Sequence, residues 1–344
     1  MNKTLTEDIK MLADQYRSVS ELHGKRIMVT GATGLIGACL VRLLLMLNRA
    51  YAAGISITAV VRDEAKAAGV FGPPDGLLEY YVCDFIDSSR FLPESSADYI
   101  VHLAGPTASR FFVDHPAETM LTVIGGTRAV LDYALRVNAR AVVFVSSLEV
   151  YGIVTDDTTR LTESMLGSID YTDPRSSYPA AKLAAEAMCQ AYAREYGLPV
   201  RIARLAQTFG AGIAADDNRV FAQFARKVIN NENITLHTNG TLSRCYCYTT
   251  DAVCAILCLL TKGCNGEVYN VANEDTYTSI RDMAQMLCDT FMPGTSPVLE
   301  LRQDMGYSPA TRLRLSAAKL RSLGWEPRYG LKDMFIRLIA SMAR

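Results

Sequence analysis

Two side chains near the middle of the chain have the type and spacing of an acid–base pair. Tyr178 and Lys182 are four residues apart, which places both side chains on one face of a helix. An ammonium group close to a phenol favours the phenolate and lowers its pKa, so Tyr178 could act as a base near neutral pH. The hydroxyl of Ser147, at the end of an apolar run, could hold the same substrate oxygen. Surface pairs often have the same Tyr–Lys spacing, so the catalytic interpretation depends on the elements around it.

A glycine-rich segment near the start of the chain is the first of these elements. Residues 25–37 give a short β-branched strand and a Gly-x-x-Gly-x-x-Gly turn, and an apolar helix follows. This order is typical of the first βα unit of a dinucleotide-binding fold, in which the turn and the helix N-terminus hold a pyrophosphate. The residues predicted to bind the cofactor here are Gly31, Thr33, Gly34, Leu35, Ile36 and Gly37.

Strand and helix patterns alternate over the first two hundred residues or so. Apolar runs at residues 55–61, 78–82, 99–103, 141–145 and 199–203 are separated by helical stretches, notably 117–137 and 178–195. The pattern predicts an α/β fold with a Rossmann-like doubly wound parallel sheet. From Gln207 the segments become shorter, which indicates a smaller C-terminal α/β substrate domain.

We therefore predict two domains. A NAD(P)-binding Rossmann domain covers residues 1–206, and residues 1–23 form an N-terminal helical extension of it. Residues 207–344 form mainly a substrate-binding domain, although some of their segments could return to the Rossmann sheet.

Composition excludes several kinds of partner. The 344 residues carry a formal net charge of −1, which favours neither nucleic acid nor an anionic membrane as a partner. The nine cysteines lack the spacing of a secreted disulfide framework, so we predict reduced thiols and a cytoplasmic location. No secretory signal and no metal site are predicted.

Together these motifs resemble those of the extended short-chain dehydrogenases/reductases, in the nucleotide-sugar epimerase and dehydratase group, over residues 24–338. The resemblance implies that Asp84 and Phe85 meet the adenine end of the cofactor, and that Leu103 and Ala104 line its path after the fourth strand. Tyr178 and Lys182 then contact the cofactor as well as the substrate. We interpret His102, just before this pair, as a structural residue with satisfied hydrogen bonds.

Within that group the pattern is most similar to the UDP-glucuronate decarboxylase family. The segments 173–178 and 149–152 resemble two of that family's motifs, and arginines fall where it binds nucleotide and sugar. The resemblance implies a nucleotide-sugar substrate, with a UDP-sugar favoured. The implied substrate-binding residues are Pro106, Arg175, Gln207, Arg219, Val220 and Arg244. Four departures fall in the expected sugar and diphosphate pocket, namely Phe112 for a tyrosine, Gln207 for an asparagine, Ala211-Gly212 for Pro-Arg and Ala180-Ala181 for Glu-Gly.

The pair at positions 148 and 149 separates the reactions of this group. The 4,6-dehydratases have an aspartic acid and a glutamate there, and the acid protonates the leaving hydroxyl. Leu148 cannot donate a proton, while Glu149 is retained, which is the decarboxylase-like combination. Glu149 could instead only order its loop. The alternatives are a nucleotide-sugar 4-epimerase or 4,6-dehydratase and, more remotely, a non-catalytic dinucleotide-binding regulator.

The implied mechanism runs through a transient 4-keto sugar. Tyr178, with Lys182 and Ser147, takes the proton of the sugar 4-hydroxyl while the cofactor takes the hydride from carbon 4. A 6-carboxylate is then a β-keto acid and leaves as carbon dioxide, with Glu149 and Arg244 orienting the ring. The hydride finally returns to the sugar.

Two further features concern the cofactor and the assembly. The second strand ends in Arg62-Asp63, where an acidic residue suits the ribose hydroxyls of NAD and an arginine suits the 2′-phosphate of NADP. We predict NAD, with NADP as the alternative. Family members pair through the helices that correspond to residues 117–137 and 178–195, so we also predict a homodimer.

Overall fold

The computed structural model describes residues 2–302 and 311–343. Its helices are α1 (Lys3–Tyr16), α2 (Leu35–Tyr51), α3 (Glu64–Phe71), α4 (Ser109–Asp114), α5 (Pro116–Arg136), α6 (Ser177–Tyr196), α7 (Val220–Ile229), α8 (Thr249–Lys262), α9 (Ile280–Phe291), α10 (Ala318–Arg321) and α11 (Leu331–Met342). Its strands are β1 (Arg26–Thr30), β2 (Ser56–Val61), β3 (Leu78–Val82), β4 (Tyr99–His102), β5 (Ala141–Ser147), β6 (Val200–Leu205), β7 (Gln207–Phe209), β8 (Thr235–Leu236), β9 (Ser243–Tyr248), β10 (Val268–Val271), β11 (Asn273–Ser279), β12 (Val298–Leu299) and β13 (Arg312–Leu313). Short 3-10 helices lie at Phe85–Arg90, Leu148–Tyr151 and Pro174–Ser176.

Seven strands form one parallel sheet in the order β10-β6-β5-β4-β1-β2-β3. The strands on one side of β1 are β2 and β3, and the chain then crosses to β4 on the other side. The reversal between β1 and β4 opens a crevice at the carboxyl ends of the strands, where such sheets bind ligands. The predicted Rossmann-like α/β fold is confirmed, and the five predicted apolar runs are β2 to β6.

The sheet is buried on both faces because its strands are apolar at nearly every position. Val143 and Val145 of β5 pack into one core, which α2 and α8 cover. Val142 and Phe144 alternate with them and pack into a second core, which α5 and α6 cover. Continuous burial of this kind is what parallel sheets between two helical layers require.

A smaller sheet is built around β9, mainly from the second half of the chain. β9 pairs with β11 in antiparallel and with β7 and β13 in parallel. A third apolar core joins this sheet to α7, α9 and α11 and contains Phe209, Phe221 and Phe335. β8 and β12 form a separate two-stranded pair.

Two elements of the second half lie on the first sheet. β10 pairs with β6, and residues of α8 share the core of α2. The division into a cofactor domain and a substrate domain stays our proposal, with α8 and β10 assigned to the former.

The N-terminal helix α1 packs across both parts of the molecule. Its Leu5, Ile9 and Leu12 are buried in the core that contains α2 and α8. Its Asp8 is 1% exposed and accepts hydrogen bonds from the hydroxyl of Tyr248 on β9 and from Arg337 on α11.

Among the helices of the described residues, none is both long and apolar enough to cross a membrane.

Candidate active site

The glycine turn after β1 is shaped for close approach of a phosphate. Gly31 has φ of +65°, and a Cβ there would lie 3.0 Å from the backbone of Ala104. A Cβ on Gly37 would overlap the carbonyl oxygen of Gly31, so only glycine lets α2 start this close to β1. Gly34 is the N-cap of α2, and within the described residues no side chain caps the helix. The first N–H groups of α2 are thus available to an anion.

The other predicted residues of this segment follow the turn into α2. Thr33, Leu35 and Ile36 are half-buried along the turn and the first helical residues. The exposed glycine, the free helix N-terminus and the crevice beside β4 together fit the pyrophosphate of a dinucleotide.

The predicted ribose residues differ in their surroundings. Asp63 is the N-cap of α3, and its Oδ1 accepts a hydrogen bond of 2.9 Å from the backbone N–H of Lys66. This carboxylate is therefore held toward α3. Arg62 is exposed and has no hydrogen bond or ion pair with any described residue.

Asp84 and Phe85 follow β3 and have different environments. Asp84 is exposed, and its carboxylate accepts a 3.2 Å hydrogen bond from Ile86. The side chain of Phe85 is 4% exposed and packs against the rings of Phe91 and His102. The predicted contact of Phe85 with the cofactor is thus restricted to its backbone.

The end of β4 is fixed by a buried hydrogen-bond network. His102 lies 2.7 Å from the hydroxyl of Thr30 and 3.3 Å from that of Thr127. Burial lowers the pKa of His102 to about 3, which suits the predicted structural role of a neutral imidazole. The hydroxyl of Thr30 also accepts the backbone N–H groups of Leu103 and Ala104 at 3.2 and 3.1 Å. Both residues are half-buried and border the crevice.

The acid–base residues come together at the carboxyl end of β5. Ser147 is its last residue, and α6 brings Tyr178 and Lys182 against it. Tyr178 is 8% exposed, and Lys182 is 4% exposed. The ammonium of Lys182 donates a 2.8 Å hydrogen bond to the carbonyl oxygen of Val145 and lies 5.9 Å from the centre of the Tyr178 ring.

The expected effect of Lys182 on the phenol is not what the structure shows. Burial raises the pKa of Tyr178, the nearby carboxylate of Glu149 raises it further, and a hydrogen bond with Ser147 lowers it. Burial also lowers the pKa of Lys182 to about 8. The prediction that Lys182 lowers the pKa of Tyr178 is wrong for this structure, because the ammonium is held at Val145 and not at the phenol oxygen.

Phe112 covers the phenol ring. The two rings are parallel, with 4.3 Å between their centres and 3° between their planes. The backbone carbonyl of Phe112 accepts a 3.1 Å hydrogen bond from the hydroxyl of Ser177. Pro106, which lies between β4 and α4, is half-buried.

Glu149 lies between two arginines. Its Oε2 is 3.7 Å from Nη2 of Arg175, and its Oε1 is 3.7 Å from Nη1 of Arg244. Arg244 Nη1 is also 3.4 Å from Oε1 of Gln207. The structure thus brings together residues from the 3-10 helices after β5 and before α6 and from strands β7 and β9.

Arg219 and Val220 are more remote from this cluster. Nε of Arg219 lies 3.1 Å from both carboxylate oxygens of Asp217, so its guanidinium is already paired. Val220 is the first residue of α7, near β7. The predicted substrate contact of Arg219 would require it to share its charge with Asp217.

The Ala211-Gly212 pair lies close to the N-terminal helix. Ala211 is 2% exposed, and its N–H donates to the hydroxyl of Tyr248. A Cβ on Gly212 would lie 3.1 Å from the side chain of Leu5 in α1. The expectation that this change falls in the sugar and diphosphate pocket stays a prediction.

One residue that sequence reasoning missed is Glu186, one helical turn after Lys182. It is 4% exposed, pairs with Arg204 and accepts a hydrogen bond from Ser146. Its charge opposes the lowering of the Lys182 pKa. The sequence contained a signal for this residue, because Glu186 is four residues after Lys182 and positions four apart in a helix are neighbours.

A parallel Rossmann-like sheet with this glycine turn, and with a Tyr–Lys pair beyond it, defines a dinucleotide-binding α/β protein. The family model "NAD dependent epimerase/dehydratase family" matches residues 27–272, and the chain belongs to that family. It is an enzyme whose cofactor is NAD.

Curated relatives extend over most of the chain. UDP-glucuronic acid decarboxylase 6 of Arabidopsis thaliana is 31% identical over 317 residues, which are 90% of this chain and 86% of the relative. UDP-glucuronic acid decarboxylase 1 of Danio rerio is 28% identical over 331 residues, which are 95% and 74% of the two chains.

Solved structures agree in fold. DesIV, a dTDP-glucose 4,6-dehydratase from Streptomyces venezuelae with NAD and TYD bound, has a TM-score of 0.75 at 26% identity and covers 91% of this chain and 95% of its own. The epimerase Mth375 from Methanothermobacter thermautotrophicus has a TM-score of 0.78 at 24% identity, with coverages of 96% and 94%. The latter likeness concerns the fold alone.

Proposed function

We propose that the enzyme decarboxylates a UDP-linked uronic acid through a transient 4-keto sugar. The observation that carries the proposal is the cluster of Glu149 with Arg175 and Arg244. It holds two guanidinium groups and one carboxylate, so it has one positive charge in excess at the end of β5. The relatives named UDP-glucuronic acid decarboxylase support the same reaction.

The excess charge is available to a ligand. Both Arg–Glu separations are 3.7 Å, longer than a direct hydrogen bond, so Glu149 does not saturate the guanidinium donors. Nε of Arg244 is buried without a hydrogen-bond partner in the described part of the chain. Buried donors are normally paired, and an anionic ligand such as a sugar carboxylate would satisfy this one.

The chain's own groups would move and hold the proton of the 4-hydroxyl. Tyr178 takes it, Ser147 holds the same oxygen, and Lys182 adds a positive charge to the site from its place at the carbonyl of Val145. When bound, oxidised NAD accepts a hydride from carbon 4 and later returns it, and its positive ring favours the phenolate. The N–H groups at the start of α2 would hold its pyrophosphate.

Carbon dioxide then leaves without help from an acid. The electrons of the breaking bond flow into the 4-keto group, which Tyr178 and Ser147 hold, and carbon 5 of the resulting enolate takes a proton from water before the hydride returns. A dehydratase, by contrast, needs an acid next to Glu149, since hydroxide leaves poorly without protonation. Leu148 is 2% exposed and packs in the apolar core. This position therefore supports loss of carbon dioxide over loss of water.

A panel of nucleotide sugars tests the proposal. Wild-type enzyme with NAD is incubated with UDP-, dTDP-, CDP- and GDP-sugars, both uronic and neutral, and the products are followed by mass. We expect loss of carbon dioxide from a UDP-uronic acid. Formation of a 4-keto-6-deoxy sugar would contradict the interpretation that Leu148 prevents loss of water. Inversion of a neutral sugar, with no reaction of any uronic acid, would favour a 4-epimerase.

A pair of variants tests the role of the charge. Arg244→Gln should lower kcat/KM for the uronic substrate about 10- to 100-fold, as expected for the loss of a charged hydrogen bond. Arg49→Gln, which changes an exposed arginine in the last turn of α2, is the matched control and should behave as wild type. Equal activity of the two variants would separate Arg244 from substrate binding.

We also propose a homodimer and a cytoplasmic location. The outer surface of α5 and α6 supports the dimer, and the nine cysteines, all free thiols, support a reducing compartment.

A further inference from the structure

We infer that Glu186 is a positioning residue of the acid–base pair, whose buried carboxylate keeps Lys182 charged while it anchors α6 to the end of β5. The inference rests on the proposed function, because it concerns the pair that moves the proton in that reaction. Its decisive measurement needs no substrate, so the two proposals can fail separately.

The carboxylate of Glu186 joins α6 to two strands of the parallel sheet. Its oxygens accept hydrogen bonds of 2.7 and 3.1 Å from Nη2 and Nε of Arg204 on β6, and one of 2.5 Å from the hydroxyl of Ser146 on β5. Ser146 and Arg204 are register partners on these neighbouring strands. Ser146 immediately precedes the serine that ends β5, and Glu186 lies on the helix that carries the Tyr–Lys pair. The carboxylate therefore ties the serine end of the site to the Tyr–Lys end.

The ion pair is buried and its donors are satisfied. Glu186, Arg204 and Ser146 are 4%, 5% and 4% exposed. The remaining nitrogen of the guanidinium, Nη1 of Arg204, donates a 3.0 Å hydrogen bond to the carbonyl oxygen of Glu163. A buried charge that loses its partner is costly, so this ion pair resists rearrangement and holds α6 in place.

The groups that face Lys182 make Glu186 its main source of negative charge. Burial lowers the pKa of Lys182 to about 8, and Glu186 and Cys189, about one and two turns further along α6, oppose that change. The phenol of Tyr178 is protonated, because burial raises its pKa. On β4, burial keeps the imidazole of His102 neutral, with a pKa of about 3.

The strands β5 and β6 contribute neutral partners and a second cation. On β5 the ammonium of Lys182 lies 2.8 Å from the carbonyl oxygen of Val145 and 4.7 Å from the centre of the Phe144 ring. On β6 the positive guanidinium of Arg204 is balanced by Glu186. Without this carboxylate the region would contain two buried cations, and Lys182 would release its proton at lower pH.

Two variants that break the same ion pair separate charge from packing. Lysine labelled with carbon-13 at Cε is incorporated into the full chain, and the NMR signal of Lys182 is identified by its loss in Lys182→Met. In wild type this signal should titrate near pH 8. Glu186→Gln should lower the midpoint by about one pH unit, whereas Arg204→Gln, which leaves the carboxylate uncompensated, should raise it.

The controls address folding and specificity. The double variant Glu186→Gln/Arg204→Gln leaves no unpaired charge, and its midpoint should lie below that of Arg204→Gln even where Glu186→Gln does not fold. Glu195→Gln removes an exposed carboxylate near the other end of α6 and should keep the wild-type midpoint.

Turnover shows whether the charge serves the reaction. The upper limb of the pH profile of kcat/KM should move with the midpoint in each variant. Glu186→Gln should lose about tenfold at pH 9 and approach the wild-type value at pH 6, because one pH unit is a tenfold change in protonation.

Equal shifts of the midpoint in Glu186→Gln and Arg204→Gln would indicate a purely structural ion pair and would overturn the inference. An unchanged midpoint in Glu186→Gln, or a pH profile that stays in place while the midpoint moves, would overturn it as well. If no uronic acid reacts, the NMR titration still decides whether Glu186 keeps Lys182 charged.

Discussion

At the scale of single residues, burial governs the acid–base pair. Lys182 is held at the carbonyl of Val145, and the Tyr178 ring is covered by Phe112. Burial raises the pKa of the phenol, so Tyr178 is protonated by default, whereas Lys182, whose pKa is lowered to about 8, keeps its charge at neutral pH. We therefore expect the positive charge of the bound cofactor to lower the pKa of Tyr178 and so to favour its phenolate form.

Removal of the phenol oxygen tests this role. Tyr178→Phe should reduce turnover at least about 10²-fold, because it removes the general base. Dinucleotide binding, measured by calorimetry, should survive, since the ring and its stack on Phe112 are retained.

Tyr171→Phe is the matched control because Tyr171 is 87% exposed. Near-normal turnover of Tyr178→Phe would remove Tyr178 from the mechanism.

The site was predictable from sequence where its parts are local. The spacing of Tyr178 and Lys182 and the glycine turn are short patterns that follow helix and turn geometry directly. The hydrogen bond of Lys182 to Val145 and the stack of Phe112 join residues far apart in the chain. Their effect on pKa depends on burial, which a local pattern does not specify.

At the scale of elements, buried carboxylates on two helices join the parts of the molecule. Asp8 of α1 holds Tyr248 and Arg337, and the pKa of Asp8 is raised mainly by burial. Asp251 of α8 accepts the N–H groups of Arg328 and Tyr329 before α11 at 3.0 and 3.2 Å.

Loss of Asp8 should be costly. Asp8→Ala leaves a buried hydroxyl and a guanidinium without their acceptor, and we expect a loss of about 3 kcal/mol in the free energy of unfolding. Glu7→Ala is the control, since Glu7 is 53% exposed and only 4.0 Å from Arg337 at its nearest. Its cost should be about 0.5 kcal/mol or less. Urea titrations compare the two, and equal losses would show that α1 does not depend on this network.

Asp251 should make stability depend on pH. Burial raises its pKa from 3.8 to about 6, so the native state binds a proton that the unfolded state releases between these values. This contribution to stability therefore falls as pH rises through that window, by on the order of 3 kcal/mol in total. Above pH 6 the loss is complete.

Asp251→Asn keeps an acceptor for both N–H groups and should remove this slope. The variant should be more stable than wild type at pH 7, and the difference should shrink as the pH is lowered below 4. Asp289→Asn, at an exposed position of α9, provides the reference. A difference that does not change with pH would contradict the assignment.

The elements that sequence predicts well are those with long buried faces. The strands β2 to β6 consist of β-branched and apolar residues, and their type and position follow from the pattern. β7, β8 and β12 have two or three residues, which is too short for a periodicity to show. The pairing of β10 with β6 is set by tertiary packing. The sequence therefore predicted only that some segments after residue 207 could return to the first sheet.

At the scale of the whole molecule, the outer face of α5 and α6 is the proposed dimer surface. Val130 and Leu131 are buried in the core beneath the helices, so they are not available to an interface. Leu121 and Tyr196 are 60% and 55% exposed on the outside. Arg128 and Asp132 follow Leu121 at helical spacing on the same face of α5. The carboxylate of Asp132 accepts a 2.6 Å hydrogen bond from the hydroxyl of Tyr192 on α6.

Light scattering at micromolar concentration should give a dimer mass for wild type. Leu121→Glu places a charge in the proposed interface and should shift the mass toward the monomer. Leu166→Glu, which changes an equally exposed leucine in the loop after β5, should remain dimeric. A monomeric wild type would contradict the dimer.

The central claim joins all three scales: a Rossmann-like sheet presents a buried Tyr–Lys pair beside an arginine-rich cluster that selects an anionic sugar. Its most direct test is the fate of carbon 6 in UDP-glucuronate labelled there with carbon-13, followed by NMR with wild-type enzyme and NAD. We predict that the label appears as carbon dioxide and bicarbonate in step with a UDP-pentose, with no net reduction of NAD. Retention of the label in a 4-epimer, or in unchanged substrate that binds, would contradict the account.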